Sequence, residues 1–277
     1  MRVGLVQLTV GDDPVENLVQ TRALLREAAA GGAGFVLTPE CTSMLSTKKD
    51  VQRARLTSEG EDITLAALRQ EAADLGIWLL IGSLGVVTGD ADGRFANRSF
   101  LIGPDGGIVA RYDKIHMFDV NVSETEVYRE SAAYRPGEQA VVAETPFGKI
   151  GMSVCYDLRF PHLYRALAHK GAQILTIPAA FNHITGAAHW EVLLRARAIE
   201  NGAWVIAPAQ TGQHPEGGEL GKRRTYGHSL VVAPWGEVVA DAGEGVGVTY
   251  AQIDLEAVTS ARHRVPSITH DRVFSGP

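Results

Sequence analysis

The chain has 277 residues, 45% hydrophobic and 21% charged, with a formal net charge of −6. That is an ordinary globular mix, long enough to bury a core without a metal or disulfide staple. Charges of both signs are scattered, Lys222-Arg223-Arg224 is too short a basic run for a nucleic-acid surface, and no stretch is long and apolar enough to span a bilayer.

Val3–Val10 reads as a strand, with no charged-then-apolar segment before it, so a cytoplasmic, reducing setting is expected. Pro14 to Ala30 carries apolar residues at Val15, Leu18, Val19, Leu24 and Leu25, the spacing of an amphipathic helix with Pro14 near its start. Gly34–Leu37 is a strand that gives out at Thr38-Pro39-Glu40. A helix over Thr64–Leu75 stops at Gly76, and Ile77–Leu84 is the next strand. Phe100-Leu101-Ile102 and Ile108-Val109-Ala110 form a hairpin around Pro104-Asp105-Gly106-Gly107.

In the second half, Thr145–Gly148 is a turn before the strand that ends at Cys155. A helix over Pro161–Lys170 leads to the strand Ile174–Pro178, and a helix over His189–Glu200 leads to Trp204–Ala207. Leu230–Ala233 and Glu237–Ala240 make a further hairpin. Helix–Gly/Ala–strand units at Gly32-Ala33-Gly34, Gly171-Ala172 and Gly202-Ala203 hint at two similar halves. With no Pro/Ser-rich linker, one domain over residues 1–277 is expected. Alternating helices and strands imply an α/β fold, and the hairpins imply mixed sheets. The least ordered stretches are expected at Gly212–Gly221 and around Val120–Tyr134.

Three segments end in a reactive residue where an apolar strand gives out: Thr38-Pro39-Glu40, Tyr112-Asp113-Lys114 and Val154-Cys155-Tyr156. Strand ends at one rim of a sheet lie close in space however far apart in sequence. Cys155 sits where a strand turns sharply towards a helix, a place where a thiol can be ionised and reached. Glu40 is then the general base and Lys114 the stabiliser of an oxyanion, helped by the backbone N–H of Tyr156. Glu130 could orient Lys114 or the substrate. Taken singly, each has an ordinary structural reading: a small core cysteine, a capping or paired glutamate, a solvated lysine, a solvated loop glutamate. Cys41, beside the base, lacks the strand-to-helix setting and reads as packed; a Cys41–Cys155 disulfide is the alternative.

The surrounding words carry more information. Gly34–Glu40, Tyr112–His116, Arg129-Glu130-Ser131, Gly151–Pro161, Phe181–Glu191 and Tyr226–Ser229, in that order, resemble the nitrilase superfamily of carbon–nitrogen hydrolases. The resemblance implies a four-layer αββα sandwich of two mixed sheets with helices on the outer faces, in a homodimer or larger homo-oligomer. It implies a site of Glu40, Lys114 and Cys155 with Glu130 as a fourth participant. The implied reaction is attack of Cys155 on an amide carbon, loss of ammonia to leave a thioester, and hydrolysis to a carboxylate. No cofactor or metal is implied, in keeping with the absence of a His-Glu-x-x-His motif.

Cys155–Pro161 looks like the amidase branches, since nitrilases usually carry Trp-Glu after the cysteine. Trp190–Glu200, Ala209-Gln210 and Arg224–Ser229 resemble the deaminated glutathione amidases; Phe181-Asn182 looks more like the ω-amidases that cleave α-ketoglutaramate. The implied partner is a small anionic α-keto-acid amide, with an N-carbamoyl amide hydrolase or a catalytically idle assembly protein as rivals. An anionic substrate needs a cation. Arg159 is a candidate to grip its carboxylate, or else pairs with Asp157. Phe181, Asn182 and Thr185 could line the pocket, and Glu191 and Arg195 could pair along a helix.

Overall fold

The computed structural model describes residues 1–124 and 126–276. Its first half runs β1 (Arg2–Gln7), α1 (Pro14–Ala30), β2 (Phe35–Leu37), α2 (Lys49–Arg55), α3 (Ile63–Leu75), β3 (Trp78–Val87), β4 (Phe95–Ile102) and β5 (Ile108–Asp113). A short hairpin of β6 (Asp119–Asn121) and β7 (Val127–Arg129) leads to β8 (Val141–Thr145) and β9 (Gly148–Met152). Then come α4 (Pro161–His169), β10 (Ile174–Thr176), α5 (His183–Asn201) and β11 (Trp204–Ala207). The chain ends with β12 (Thr211–Glu216), β13 (Glu219–Tyr226), β14 (Leu230–Val232), β15 (Val238–Asp241), β16 (Gly247–Gln252) and α6 (Glu256–Arg264).

Two six-stranded sheets form, in the orders β16-β1-β2-β3-β4-β5 and β15-β14-β11-β10-β9-β8. Each has three parallel strands at its centre, β1-β2-β3 and β9-β10-β11, flanked by antiparallel ones. The similar halves hinted at in the sequence are therefore two copies of one sheet plan. Val3, Leu5, Phe35 and Leu37 from the first sheet share a core with Ile150, Met152 and Ile174 from the second. On the other face of the first sheet, Val6, Val36 and Leu79 pack with Leu25 of α1 and Leu68 of α3. Leu163 and Leu167 of α4 and Trp190 and Leu194 of α5 cover the second sheet. The architecture is an αββα sandwich. Central strands buried on both faces explain why they read as unbroken apolar runs.

Several sequence expectations change. In α1 the buried stripe is Asn17, Thr21, Leu25 and Ala28, whereas Val15 and Val19 are 59% and 70% exposed. The polar members are buried because they are satisfied: Asn17 Nδ2 donates to the carbonyls of Gly11 and Ser43, and Thr21 Oγ1 to that of Asn17. Helix α5 begins at His183 instead of His189, because the side-chain oxygen of Asn182 accepts from the N–H groups of Ile184 (2.9 Å) and Thr185 (3.2 Å).

Gly212–Gly221 is the hairpin β12–β13, not a disordered loop. Its Gly217-Gly218 pair turns at φ +67° and +81°, the left-handed region that glycine enters without strain. Buried His214 ties it down, through Nδ1 to the carbonyl of Val10 (2.8 Å) and Nε2 to Thr225 Oγ1 (2.7 Å). Gly186 lets α5 lie against it, since a Cβ there would meet the Tyr226 side chain at 2.4 Å. The expected loose stretch at Val120–Tyr134 holds the β6–β7 hairpin and a 3₁₀ turn over Glu130–Ala132; Thr125 lies outside the described residues. Among the described residues, no helix is long and apolar enough to cross a membrane.

Candidate active site

Glu40 follows β2 through Thr38-Pro39, and Lys114 is the first residue after β5. Gly82 on β3 makes room for the first of these turns: a Cβ there would lie 2.2 Å from the Thr38 carbonyl oxygen. The Lys114 N–H donates to the Asn97 carbonyl at 2.9 Å, which fixes where the chain leaves the sheet. Cys155 opens a 3₁₀ turn, Cys155–Arg159, at φ +49°, a conformation that L-residues seldom adopt. Buried Asp157 clamps the turn by accepting from the Val154 N–H (2.9 Å), the Tyr112 hydroxyl (2.7 Å) and the His116 N–H (3.0 Å). The Cys155 N–H is committed to the Pro178 carbonyl (2.9 Å). Tyr156 lies in the first turn, where intrahelical acceptors do not reach the N–H groups.

The three side chains converge. Lys114 Nζ lies 2.9 Å from Glu40 Oε1 and 2.8 and 3.0 Å from the two oxygens of Glu130. Asn97 Nδ2 bridges the carboxylates, 2.9 Å from Glu40 Oε1 and 3.2 Å from Glu130 Oε1. The Ala180 N–H donates to Glu40 Oε2 at 2.7 Å, and the Phe118 N–H to Glu130 Oε2 at 2.6 Å. The Cys155 thiol lies close enough to Glu40, Lys114 and Glu130 to feel their charges. Glu40, Lys114 and Cys155 are all buried.

Electrostatics sets their charge states. Burial opposes ionisation of Glu40, but the Lys114 charge and the hydrogen bonds from Cys155, Lys114 and Ala180 outweigh it, holding the carboxyl below the usual range. Burial likewise opposes the Lys114 charge, and Glu130 and Glu40 overcome it, so the ammonium persists well above the ordinary lysine range. Burial and the neighbouring Glu40 charge push the Cys155 thiol well up, with Lys114 offsetting only part. The resting sulfur therefore keeps its proton, in keeping with a general base that must remove it. Cys41 is a free thiol too, pushed up by its own burial and by the Glu40 charge.

These groups open on a cavity of about 300 Å³, a size usual for small-molecule sites. Tyr156, Phe181, Asn182 and Thr185 line it as expected, together with Glu40, Lys114, Glu130 and Cys155. The Asn182 amide is already engaged, donating to Glu126 Oε2 at 2.7 Å. Arg159 is not on the cavity wall. Its guanidinium lies 5.3 Å from the Phe181 ring centroid and 3.3 Å from His189 Nδ1, so its partner is not Asp157 either. Asp157 is taken up by Tyr112, His116 and Val154. Glu191 and Arg195 do approach, at 3.4 Å.

Sequence reasoning missed Asn97, the Ala180 N–H and Arg223. Asn97 stands inside a strand and nothing local marks it. A backbone N–H has no sequence signal. Arg223 was dismissed as part of a short basic run, yet it lines the cavity. Among the described residues, no group of three or more His, Cys, Asp or Glu could hold a metal.

Known proteins share this arrangement of chain. A deaminated glutathione amidase of Yersinia enterocolitica is 38% identical over 274 residues, covering 99% of this chain and 93% of that protein. An omega-amidase of Xenopus laevis is 39% identical over 266 residues, covering 96% and 92%. The crystal structure of the Caenorhabditis elegans NitFhit protein superposes with a TM-score of 0.87 at 36% identity, covering 98% of this chain and 65% of that longer one. Residues 2–263 match the family described as carbon-nitrogen hydrolase. A match of that extent, together with relatives this similar along nearly their whole lengths, means that the chain belongs to the carbon–nitrogen hydrolase family.

Proposed function

We propose that this protein is a cysteine-dependent amidase in which Cys155 is the nucleophile, Glu40 the general base and Lys114 the oxyanion stabiliser, with Glu130 positioning Lys114. The substrate is a small anionic α-keto-acid amide, deaminated glutathione before α-ketoglutaramate. The observation that carries this reading is that the Glu40–Lys114 ion pair and the Cys155 thiol line one cavity. The names of the similar proteins support the substrate class.

The chemistry follows from the charge states. As sulfur attacks the amide carbon, its proton passes to Glu40, so the thiolate exists only while a bond to carbon forms. The developing oxyanion draws on the Lys114 ammonium and the Tyr156 N–H. Glu130 takes two donors of Lys114 at rest and can release one without losing the ion pair. Protonated Glu40 then gives its proton to the departing nitrogen, the C–N bond breaks and a thioester remains. Glu40, ionised again, deprotonates a water that attacks the thioester; the acid leaves and the proton returns to sulfur. The leaving group is ammonia from α-ketoglutaramate and cysteinylglycine from deaminated glutathione. The acyl group is the same 2-oxoglutaryl unit in both.

The test measures 2-oxoglutarate, ammonia and cysteinylglycine released from the two compounds by the purified protein. A higher kcat/KM for deaminated glutathione is expected. No 2-oxoglutarate from either would sink the keto-acid reading, and carbon dioxide from a carbamoyl amide would favour that rival. We also read residues 1–277 as one domain in a homo-oligomer, since Val192 and Ile199 on α5 and Trp235 beside β14 leave an apolar face exposed. Sedimentation of a monomer at micromolar concentration would refute the oligomer.

A further inference from the structure

We infer that Arg223 holds the substrate carboxylate and so sets this site's preference for anionic amides. The inference rests on the amidase reading of the same cavity and names the group that recognises the acyl half of the substrate.

Arg223 stands on β13 and lines the cavity. Two contacts hold its guanidinium. Nη2 donates to the Ala180 carbonyl at 2.7 Å, and the plane lies 4.7 Å from the Tyr128 ring centroid. Nη1 is buried and has no acceptor among the described residues. None of the ion pairs among the described residues includes Arg223. A buried guanidinium N–H without an acceptor is unfavourable, and a carboxylate is the acceptor that fits its planar fork best.

The other cations at the cavity are differently placed. Lys114 spends its donors on Glu40 and Glu130. Arg129 donates to the carbonyls of Val120 and Tyr128 and to Asn121 Oδ1. Lys49 is exposed, where water satisfies it. Charge balance points the same way. Glu40 and Glu130 against Lys114 leave one net negative charge in a buried cluster, which repels an anionic substrate. Arg223 supplies a positive charge that offsets this cluster. All four charged groups act on the Cys41 thiol or lie against it, so they share one small space.

Placement is set by one residue. The Ala180 carbonyl receives Arg223, and the Ala180 N–H donates to Glu40. A single residue, Ala180, therefore ties the anion holder to the base. A substrate whose carboxylate is seated on Arg223 is thereby positioned along its length before Cys155 attacks. Arg223 touches no reacting atom in this scheme; it binds and positions.

The experiment compares kcat/KM for glutaramate, a plain anionic monoamide, with that for butyramide, a neutral amide of the same chain type. Arg223→Ala should lower the glutaramate-to-butyramide ratio about 10- to 100-fold, the worth of a charged hydrogen bond, chiefly through KM. Arg223→Lys should restore part of the ratio, because the charge returns without the fork. If Arg223→Ala does not fold, Arg223→Gln, of closer length, gives the same ratio test. Equal losses on both amides, a loss confined to kcat, or a wild-type protein that prefers butyramide would overturn the inference. Failure of the keto-acid reading looks different: glutaramate is cleaved with an Arg223-dependent preference while neither keto-acid amide is.

Discussion

The cavity is built from two kinds of wall. Its floor comes from the ends of sheet strands, where Glu40, Lys114 and Cys155 are buried and where Glu40 accepts from Lys114, Asn97 and Ala180. To its side the hairpin β12–β13, which belongs to neither large sheet, adds Arg223. The floor has its charges nearly cancelled internally. The side leaves a guanidinium N–H unanswered. In this reading the rigid part performs the reaction and the appended part chooses the molecule that undergoes it. One sheet plan can then serve many substrates by changing its appendages.

The largest effect that would break this division is at the sulfur. Cys155→Ala should reduce turnover at least ~10,000-fold while leaving the thermal midpoint within a few degrees; substantial product release would remove the floor's role. Lys114→Ala should cost about 100- to 1000-fold in kcat. It also strands the buried Glu40 carboxylate and the part-buried Glu130, so urea unfolding should report a loss of about 3–5 kcal/mol. Unchanged stability would mean that water replaces the ammonium.

The hairpin should part from the floor as pH falls. Burial holds the His214 imidazole neutral, down to about 4 from 6.5. Because the folded value is depressed, its contribution is complete above 6.5 and is lost as pH drops towards 4. Amide exchange of β13 should accelerate over that window while β9 stays protected; parallel loss in both would join the two walls into one cooperative unit. Glu40 behaves with the same sign but lower, so the acid limb of kcat/KM should fall below the ordinary glutamate range. The smallest signal is spectroscopic. With the thiol pushed up, a thiolate absorbance lost in Cys155→Ala should be missing at pH 8, and its presence would contradict the proton's place on sulfur.

Much of this was legible from residue order. The strands and most helices follow from apolar periodicity, and the reactive residues stand where those strands stop. The hairpin was misread because Gly212, Gly217, Gly218 and Gly221 signal turns and disorder alike. What decides between them is His214 reaching Val10 and Thr225, contacts that cross the fold. The buried face of α1 was misread because Asn17 and Thr21 are interior only by virtue of local backbone acceptors. Arg159 offers the cation that an anionic substrate needs, yet its guanidinium lies off the cavity wall, against Phe181 and His189.

By itself the sequence determined which candidate reacting groups stand at strand ends, the alternation that makes two layered sheets, and the elbow at Cys155. Those depend on local spacing and on residue chemistry, which the linear order contains. Only the tertiary structure decided that burial and the Glu40 charge push the thiol up, that Asn97 ties the two glutamates together, and that Arg223 lines the cavity. Each of these is a property of distance and burial between residues remote in the chain, and no local pattern records it.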